Sequence, residues 1–233
     1  LGNSPVSEKY LTKENLSEKQ DQVPLDLYFC LECTHVQLLA VVEPDFLWSD
    51  FTFKTANNPA LVAHFKDIAQ RILNFNPIDK NDLIIDIGSN DGTLLRCFKD
   101  VGYDNVLGVD PADEIANEAA QNGIPTINAY MDKETADKIF KEHGKASVIT
   151  ANNVYAHVDD LAGMTNAIKT VMSKDGIFIF EVSYLLDVVE KMLIGTIFHE
   201  HLCYHSVKAM SSFLQTQDME LIHVERGPEQ GGS

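Results

Sequence analysis

One stretch constrains this chain more than any other: Leu83-Ile84-Ile85-Asp86-Ile87-Gly88-Ser89-Asn90-Asp91-Gly92-Thr93, a buried apolar run that breaks into a glycine-bearing turn and opens a helix. Around it the sequence alternates. Apolar runs at 83–87, 105–109, 125–129, 146–151 and 176–182 are separated by helical patterns at 94–101, 113–122 and 161–172. Parallel strands need a crossover between them, so this alternation predicts an α/β fold with an open, mostly parallel sheet flanked by helices. A further apolar run at 219–224 reads as a sixth strand.

The turn specifies the ligand class. Its glycines let backbone approach a ligand, and the start of the helix offers N–H groups to an anion. A dinucleotide fold, and hence a dehydrogenase, would place G-x-G-x-x-G here to seat a pyrophosphate. This chain instead has Gly88 and Gly92 as G-x-x-x-G, with Asp86 two residues before the first glycine. That pattern resembles motif I of the class I (Rossmann-like) S-adenosylmethionine-dependent methyltransferases, whose ligand presents an amino-acid end. Asp86, Gly88, Ser89, Asn90, Asp91 and Gly92 are therefore the cofactor-binding candidates. The next strand closes on Asp110 and Pro111, where an acid can accept hydrogen bonds from both ribose hydroxyls, or alternatively cap the following helix. Tyr130 and Met131 follow the third strand and flank the adenine by position, unless they are ordinary core. Asn152 and Asn153 end the fourth strand, at the carboxyl edge where open sheets bind ligands.

A second distinctive stretch is Phe198-His199-Glu200-His201-Leu202-Cys203-Tyr204-His205-Ser206. It lacks H-E-x-x-H and does not match a common zinc site on one helix, so acid–base chemistry fits better than metal binding, with surface clustering as the bland alternative. Histidine titrates near neutrality and a neighbouring carboxylate can tune it, which suits removal of a proton from a carbon acid. Cys30 and Cys33 form one C-x-x-C, either half a zinc site or a redox pair; a closed structural zinc site takes four ligands.

Composition removes several function classes. The formal net charge of −17 repels nucleic acid phosphates and anionic headgroups, and no apolar run approaches the roughly 20 residues that span a bilayer. Neither nucleic acid nor membrane is an expected partner. Four cysteines without a signal-peptide pattern point to a reducing compartment, the cytoplasm by default. Residues 1–50 read as a loop-rich module with β-like runs at 25–29 and 36–42. A helix over 58–75 then leads into the main domain, with Leu61, Val62, Phe65, Ile68, Ala69 and Ile72 on one face. The expected division is 1–55 for the module and 56–233 for the methyltransferase domain.

Taken together, the chain resembles the sugar C-methyltransferases of deoxysugar biosynthesis. The resemblance is carried by the opening Leu1-Gly2-Asn3-Ser4-Pro5, Cys30-Leu31-Glu32-Cys33 with Val36-Gln37-Leu38, the motif from Asp86 to Gly92, Ala151-Asn152-Asn153-Val154 with His157, Glu181 and Tyr184, Glu200-His201 with Ser206, and the closing Gly231-Gly232. It implies an N-terminal zinc-binding module, a central S-adenosylmethionine-binding domain and a C-terminal domain, of which this chain would be a fragment cut at both ends, with zinc held in the full-length protein. It also implies a small-molecule substrate, a nucleotide-linked 4-keto-deoxysugar. His201 would be the general base, with Glu200 and His199 beside it and His157, Glu181, Tyr184 and Phe198 facing the substrate. The base removes the proton beside the ketone, and the enolate attacks the methyl group in line with the sulfonium. This sequence departs from the family at Phe198 and in Asp50-Phe51-Thr52-Phe53, where relatives often carry tyrosines. O- or N-methylation of another small molecule, or a cofactor-binding fragment without activity, are the alternative readings.

Overall fold

The computed structural model describes residues 2–7, 9–49 and 51–227. Leu1, Asp50, Gly231 and Gly232, named above, lie outside the described residues. The chain divides into two compact units: residues 1–47, 155–159 and 181–233 form one, and 48–154 with 160–180 form the other.

The first unit opens with β1 (Asn3–Ser4) antiparallel to β2 (Val23–Pro24). β3 (Leu27–Phe29) and β4 (Val36–Leu38) follow as a hairpin whose connection carries Cys30, Cys33 and Thr34, the last at φ 62°. Helix α1 (Pro44–Trp48) reaches the unit boundary.

The second unit is the alternating one. A 3-10 turn (Thr55–Asn57) precedes α2 (Pro59–Phe75), which starts where its residues dictate: the Asn58 side chain accepts from the Ala60 and Leu61 N–H groups, and Pro59 stands where no N–H is needed. Then come β5 (Leu83–Ile87), α3 (Thr93–Asp100), β6 (Val106–Asp110), α4 (Asp113–Gln121), β7 (Thr126–Asn128), α5 (Lys133–His143), β8 (Ala146–Asn152), α6 (Leu161–Val171) and β9 (Met172–Glu181). The sheet order is β7-β6-β5-β8-β9, with β7, β6, β5 and β8 paired in parallel. All of β5 and β6 is buried, as central strands covered on both faces require. Phe65, Ile68 and Ile72 of α2 and Leu94, Leu95 and Phe98 of α3 pack with Ile84, Val106 and Val148 of the sheet into one core.

The chain then returns to the first unit with α7 (Leu185–Glu190), β10 (Cys203–Tyr204) and α8 (Val207–Thr216), the last capped by the Ser206 hydroxyl on the Ala209 N–H. β10 pairs antiparallel with β4, Cys203 opposite Gln37 and Tyr204 opposite Val36, so it extends the N-terminal hairpin in the order β10-β4-β3. The histidine-rich stretch therefore groups with the N-terminal module rather than with the sheet. Residues 219–224 form no strand among the described residues: no ladder partner stands beside them, and Ile222 is 63% and Val224 50% exposed. No helix among the described residues is long and apolar enough to cross a membrane.

The turn after β5 explains its glycines by packing. Gly88 (φ 65°) and Gly92 (φ 77°) are left-handed, where a side chain is strained. A Cβ on Gly88 would lie 2.2 Å from Val154 Cγ2, and one on Gly92 2.8 Å from Ile124 Cγ2. Close approach here is to the chain's own side chains. Gly88→Ala is expected to lower stability by about 2–4 kcal/mol, from the left-handed backbone and the overpacked contact together. Urea denaturation of Gly88→Ala and of Gly88→Ala with Val154→Ala should show the second change recovering roughly half of that loss; no recovery would mean the contact is not what fixes the glycine.

Candidate active site

At the carboxyl end of the sheet, the second unit gathers two buried acids and an amide. Asp86, on β5, accepts a hydrogen bond from the Thr150 hydroxyl at 2.6 Å. Burial pushes its carboxyl up to about 7, partly offset by that hydroxyl and reinforced by the Asp110 charge. Asp110 ends β6 with both oxygens engaged, one by the Asn90 N–H at 2.8 Å and the other by the Ala112 N–H at 2.9 Å. Burial raises its pKa too, with those two donors acting against the shift. It is not the cap of α4, a position held by Ala112. Each Asp110 oxygen keeps a second lone pair for a ligand donor.

Asn152, the last residue of β8, has a side-chain amide whose nitrogen and oxygen are both buried and have no hydrogen-bond partner among the described residues; the Ser89 hydroxyl is in the same position. A buried amide without partners costs on the order of 1–3 kcal/mol, which a ligand offering a donor and an acceptor would recover. Asn153 follows at φ 56°, turning the chain away from the sheet. Met131 is buried and Tyr130 is partly exposed just beyond β7. Asn128, which the sequence reading did not single out, donates to the carbonyls of Asp110 and Pro111 and so ties the end of β7 to that of β6. Thr150 was also missed, although its place two residues before Asn152 puts both on one face of β8.

Several groups of the turn after β5 are already engaged within the chain. The N–H groups of Gly88 and Ser89 donate to Val109 O, that of Asn90 to Asp110, that of Gly92 to Ser89 O and that of Thr93 to Asp91. Asn90 and Asp91 point their side chains at the backbone of residues 53–56, where each holds main-chain groups.

In the first unit, the histidines separate into different roles. His201 donates its Nδ1–H to the Thr196 carbonyl at 2.8 Å, an acceptor that fixes the tautomer and leaves Nε2 as the basic nitrogen. Its ring centroid lies 4.0 Å from that of Phe198, and 5.1 Å from that of His157, whose ring is nearly parallel at 14°. Burial lowers the pKa of His201 and drives that of His157 down to about 3, so both are neutral at pH 7. His199 does not join them: it is buried and donates Nε2–H to the Val23 carbonyl at 3.1 Å, pinning β2. Glu200 is buried and accepts from the Ser7 hydroxyl at 3.1 Å, while Thr196 rather than Glu200 orients the His201 ring. Tyr184 bridges to His205, and the Arg226 guanidinium stands 5.1 Å over its ring; Glu181 ends β9. His205 donates to the Tyr155 carbonyl at 3.2 Å and is held at about 4, first by burial and then by His35.

Cys30 and Cys33 are exposed free thiols, and the N–H groups of Cys33 and Glu32 at the Cys30 sulfur lower its pKa. No cluster of three or more metal-ligating side chains occurs among the described residues.

The depressed histidines give a testable sign. A buried neutral histidine must gain a proton on unfolding, so its stability contribution is present above the unfolded pKa of ~6.5 and is lost as pH falls toward the folded value. His157 and His205 should each add ~1.4 kcal/mol per pH unit to the loss of stability between pH 6 and 5. Chemical denaturation across that range should give His157→Gln a slope shallower by about that amount; an unchanged slope would refute neutral burial of His157.

The family described as "Methyltransferase domain" matches residues 62–224, and one described as "Putative zinc binding domain" matches residues 1–48. Among curated relatives, the C-methyltransferase NovU of Streptomyces niveus is 28% identical over 233 residues, 100% of this chain and 55% of that protein. A ubiquinone biosynthesis O-methyltransferase of Colwellia psychrerythraea is 31% identical over 120 residues, 47% of this chain and 48% of that one. The chain spans about half the length of the curated relatives it matches. The fold is shared with YcgJ of Bacillus subtilis (TM-score 0.55, 14% identity, 71% of this chain and 72% of that one). It is shared also with the magnesium protoporphyrin IX methyltransferase ChlM of Synechocystis, solved with bound SAH (TM-score 0.54, 15% identity, 78% and 85%). The parallel sheet, the acid–glycine turn of β5 and the match over 62–224 converge on one assignment: this chain belongs to the methyltransferase domain family.

Proposed function

We propose that this chain binds S-adenosylmethionine and serves C-methylation of a nucleotide-linked 4-keto-deoxysugar. For the cofactor, the observation that carries the reading is the Asn152 amide, buried without a partner at the same sheet edge as Asp86 and Asp110. Those groups suit the ligand. Asp110 has lone pairs left for two ribose hydroxyls, the Asn152 amide offers a donor and an acceptor, and Asp86 supplies a carboxylate for an amino group. When bound, S-adenosylmethionine supplies an electrophilic methyl group.

For the reaction, the support is the state of His201. Its neutral ring, with Nδ1–H committed to Thr196 O, leaves Nε2 to take a proton from a carbon acid. His157 beside it stays uncharged, so the imidazolium formed on His201 meets no cationic neighbour. The resemblance to sugar C-methyltransferases supports the substrate class, and the match to the C-methyltransferase NovU over the whole chain supports transfer to carbon. Glu200, Glu181, Tyr184, Phe198 and His199 are assigned around the substrate by that resemblance alone, and of these His199 is better explained by its bond to Val23. Phe198 brings no hydroxyl to the His201 ring, which favours O-methylation as the second reading, since that transfer needs no enolate donor. Cys30 and Cys33 supply two of the four ligands a structural zinc takes.

The separating experiment is methyl transfer by purified protein to a panel of nucleotide-linked keto sugars and to hydroxylated small molecules. His201→Asn is expected to lower transfer to a keto sugar by about 10²–10⁴-fold with S-adenosylhomocysteine affinity unchanged, the usual loss for a general base. Because burial lowers the His201 pKa, activity should persist below pH ~6.5, the ordinary histidine value. Turnover that survives the substitution would move the assignment to O- or N-methylation.

A further inference from the structure

Residues 53–56 cross the turn after β5, and polar contacts hold them there. Asn90 Nδ2 donates to Phe53 O at 2.8 Å, the Thr55 N–H donates to Asn90 Oδ1 at 2.9 Å, and the Ala56 N–H donates to Asp91 Oδ2 at 2.8 Å. Lys54 forms an ion pair with Glu118 of α4, the helix that begins after Asp110. These contacts tie one segment to the turn after β5 and to α4, the helix that follows the turn after β6. Open sheets seat ligands outside the carboxyl ends of their strands, between such turns.

Apolar burial contributes little to this hold. Phe53 is 48% exposed and Ala56 is exposed, and of residues 53–56 only Thr55 is buried. A segment fixed by a few hydrogen bonds opens at a small fraction of the global unfolding cost. Its state therefore depends on Asn90, which sits in the left-handed region at φ 51° and aims both ends of its amide at the segment. The backbone N–H of the same Asn90 is bound by Asp110.

We propose that residues 53–56 are a strap over the cofactor crevice, that Asn90 and Asp91 are its positioning residues, and that a ribose bound by Asp110 tightens it through Asn90. This rests on the reading above in which Asp110 accepts the ribose. Hydroxyls donating to Asp110 favour its ionised form, a stronger acceptor for the Asn90 N–H. Fixing that N–H fixes the residue whose side chain holds the strap. By linkage, loss of the latch weakens ligand binding by the factor that ligand tightens the latch.

The test is hydrogen exchange followed by mass spectrometry across 53–56, with and without S-adenosylhomocysteine, alongside calorimetric measurement of its binding. In the unsubstituted protein the ligand should slow exchange there by about fivefold or more, the lower range of ordinary coupling. Asn90→Gly keeps the left-handed backbone and removes only the latch. It should exchange faster without ligand, lose the ligand-induced protection and bind S-adenosylhomocysteine more weakly by a similar factor. Lys54→Met, which leaves the glycine turn intact, should reduce the protection in the same direction. Ligand that binds without changing exchange over 53–56, or protection that survives in Asn90→Gly, overturns the strap and leaves the cofactor assignment standing. An absence of binding heat in the unsubstituted protein removes both.

Discussion

The carboxyl edge of the sheet is organised by one buried carboxylate. Asp110 accepts an N–H from the turn after β5 and another from the turn after β6, so a single side chain cross-links the two loops that frame the sheet edge. Its own carbonyl accepts from Asn128, bringing in the end of β7. Burying an ionised carboxylate is costly unless it is hydrogen-bonded, and here the cost is met by main-chain donors rather than by a cation. That choice matters because a guanidinium would occupy the lone pairs a ligand needs, whereas two N–H groups leave one on each oxygen free.

Much of the turn after β5 is scaffold. Gly88 and Gly92 yield space to Val154 and Ile124, the N–H groups of Gly88, Ser89, Asn90 and Gly92 are satisfied within the chain, and the Asn90 and Asp91 side chains hold neighbouring backbone. What remains for a ligand is the set of groups at the strand ends. The residues that the scaffold leaves unsatisfied, of which Asn152 is the clearest, are the ones the proposed function assigns to the ligand. The first unit follows the same logic with other parts: β10 adds to the N-terminal hairpin, His199 pins β2, and His201 is left with a basic nitrogen.

The parallel sheet was legible because each of its central strands is a mainly apolar run, a signal that survives without alignment. The helix over 58–75 was legible from its spacing and from Asn58 and Pro59 at its start. Helix α5 was not, since Ala136 and Ile139 are its only buried apolar residues, Phe140 is half exposed and the rest is charged or polar. Residues 219–224 misled in the opposite way: an apolar run shows what a segment could bury, and only a neighbouring strand makes it a strand. At the candidate site, Asp86, Asp110 and Asn152 were singled out by position, because strand ends can be read from sequence, and the structure places all three in buried surroundings at the ends of their strands. The division of labour among His157, His199, His201 and His205 was not readable, since it is set by which carbonyl each ring reaches: Val23 for His199, Thr196 for His201 and Tyr155 for His205.

A crystal structure of the protein with S-adenosylhomocysteine tests the central claim most directly. The account predicts ribose hydroxyls within hydrogen-bond distance of the Asp110 carboxylate and a polar ligand atom on the Asn152 amide. An empty crevice at saturating ligand, or a ligand seated away from Asp110, would contradict it.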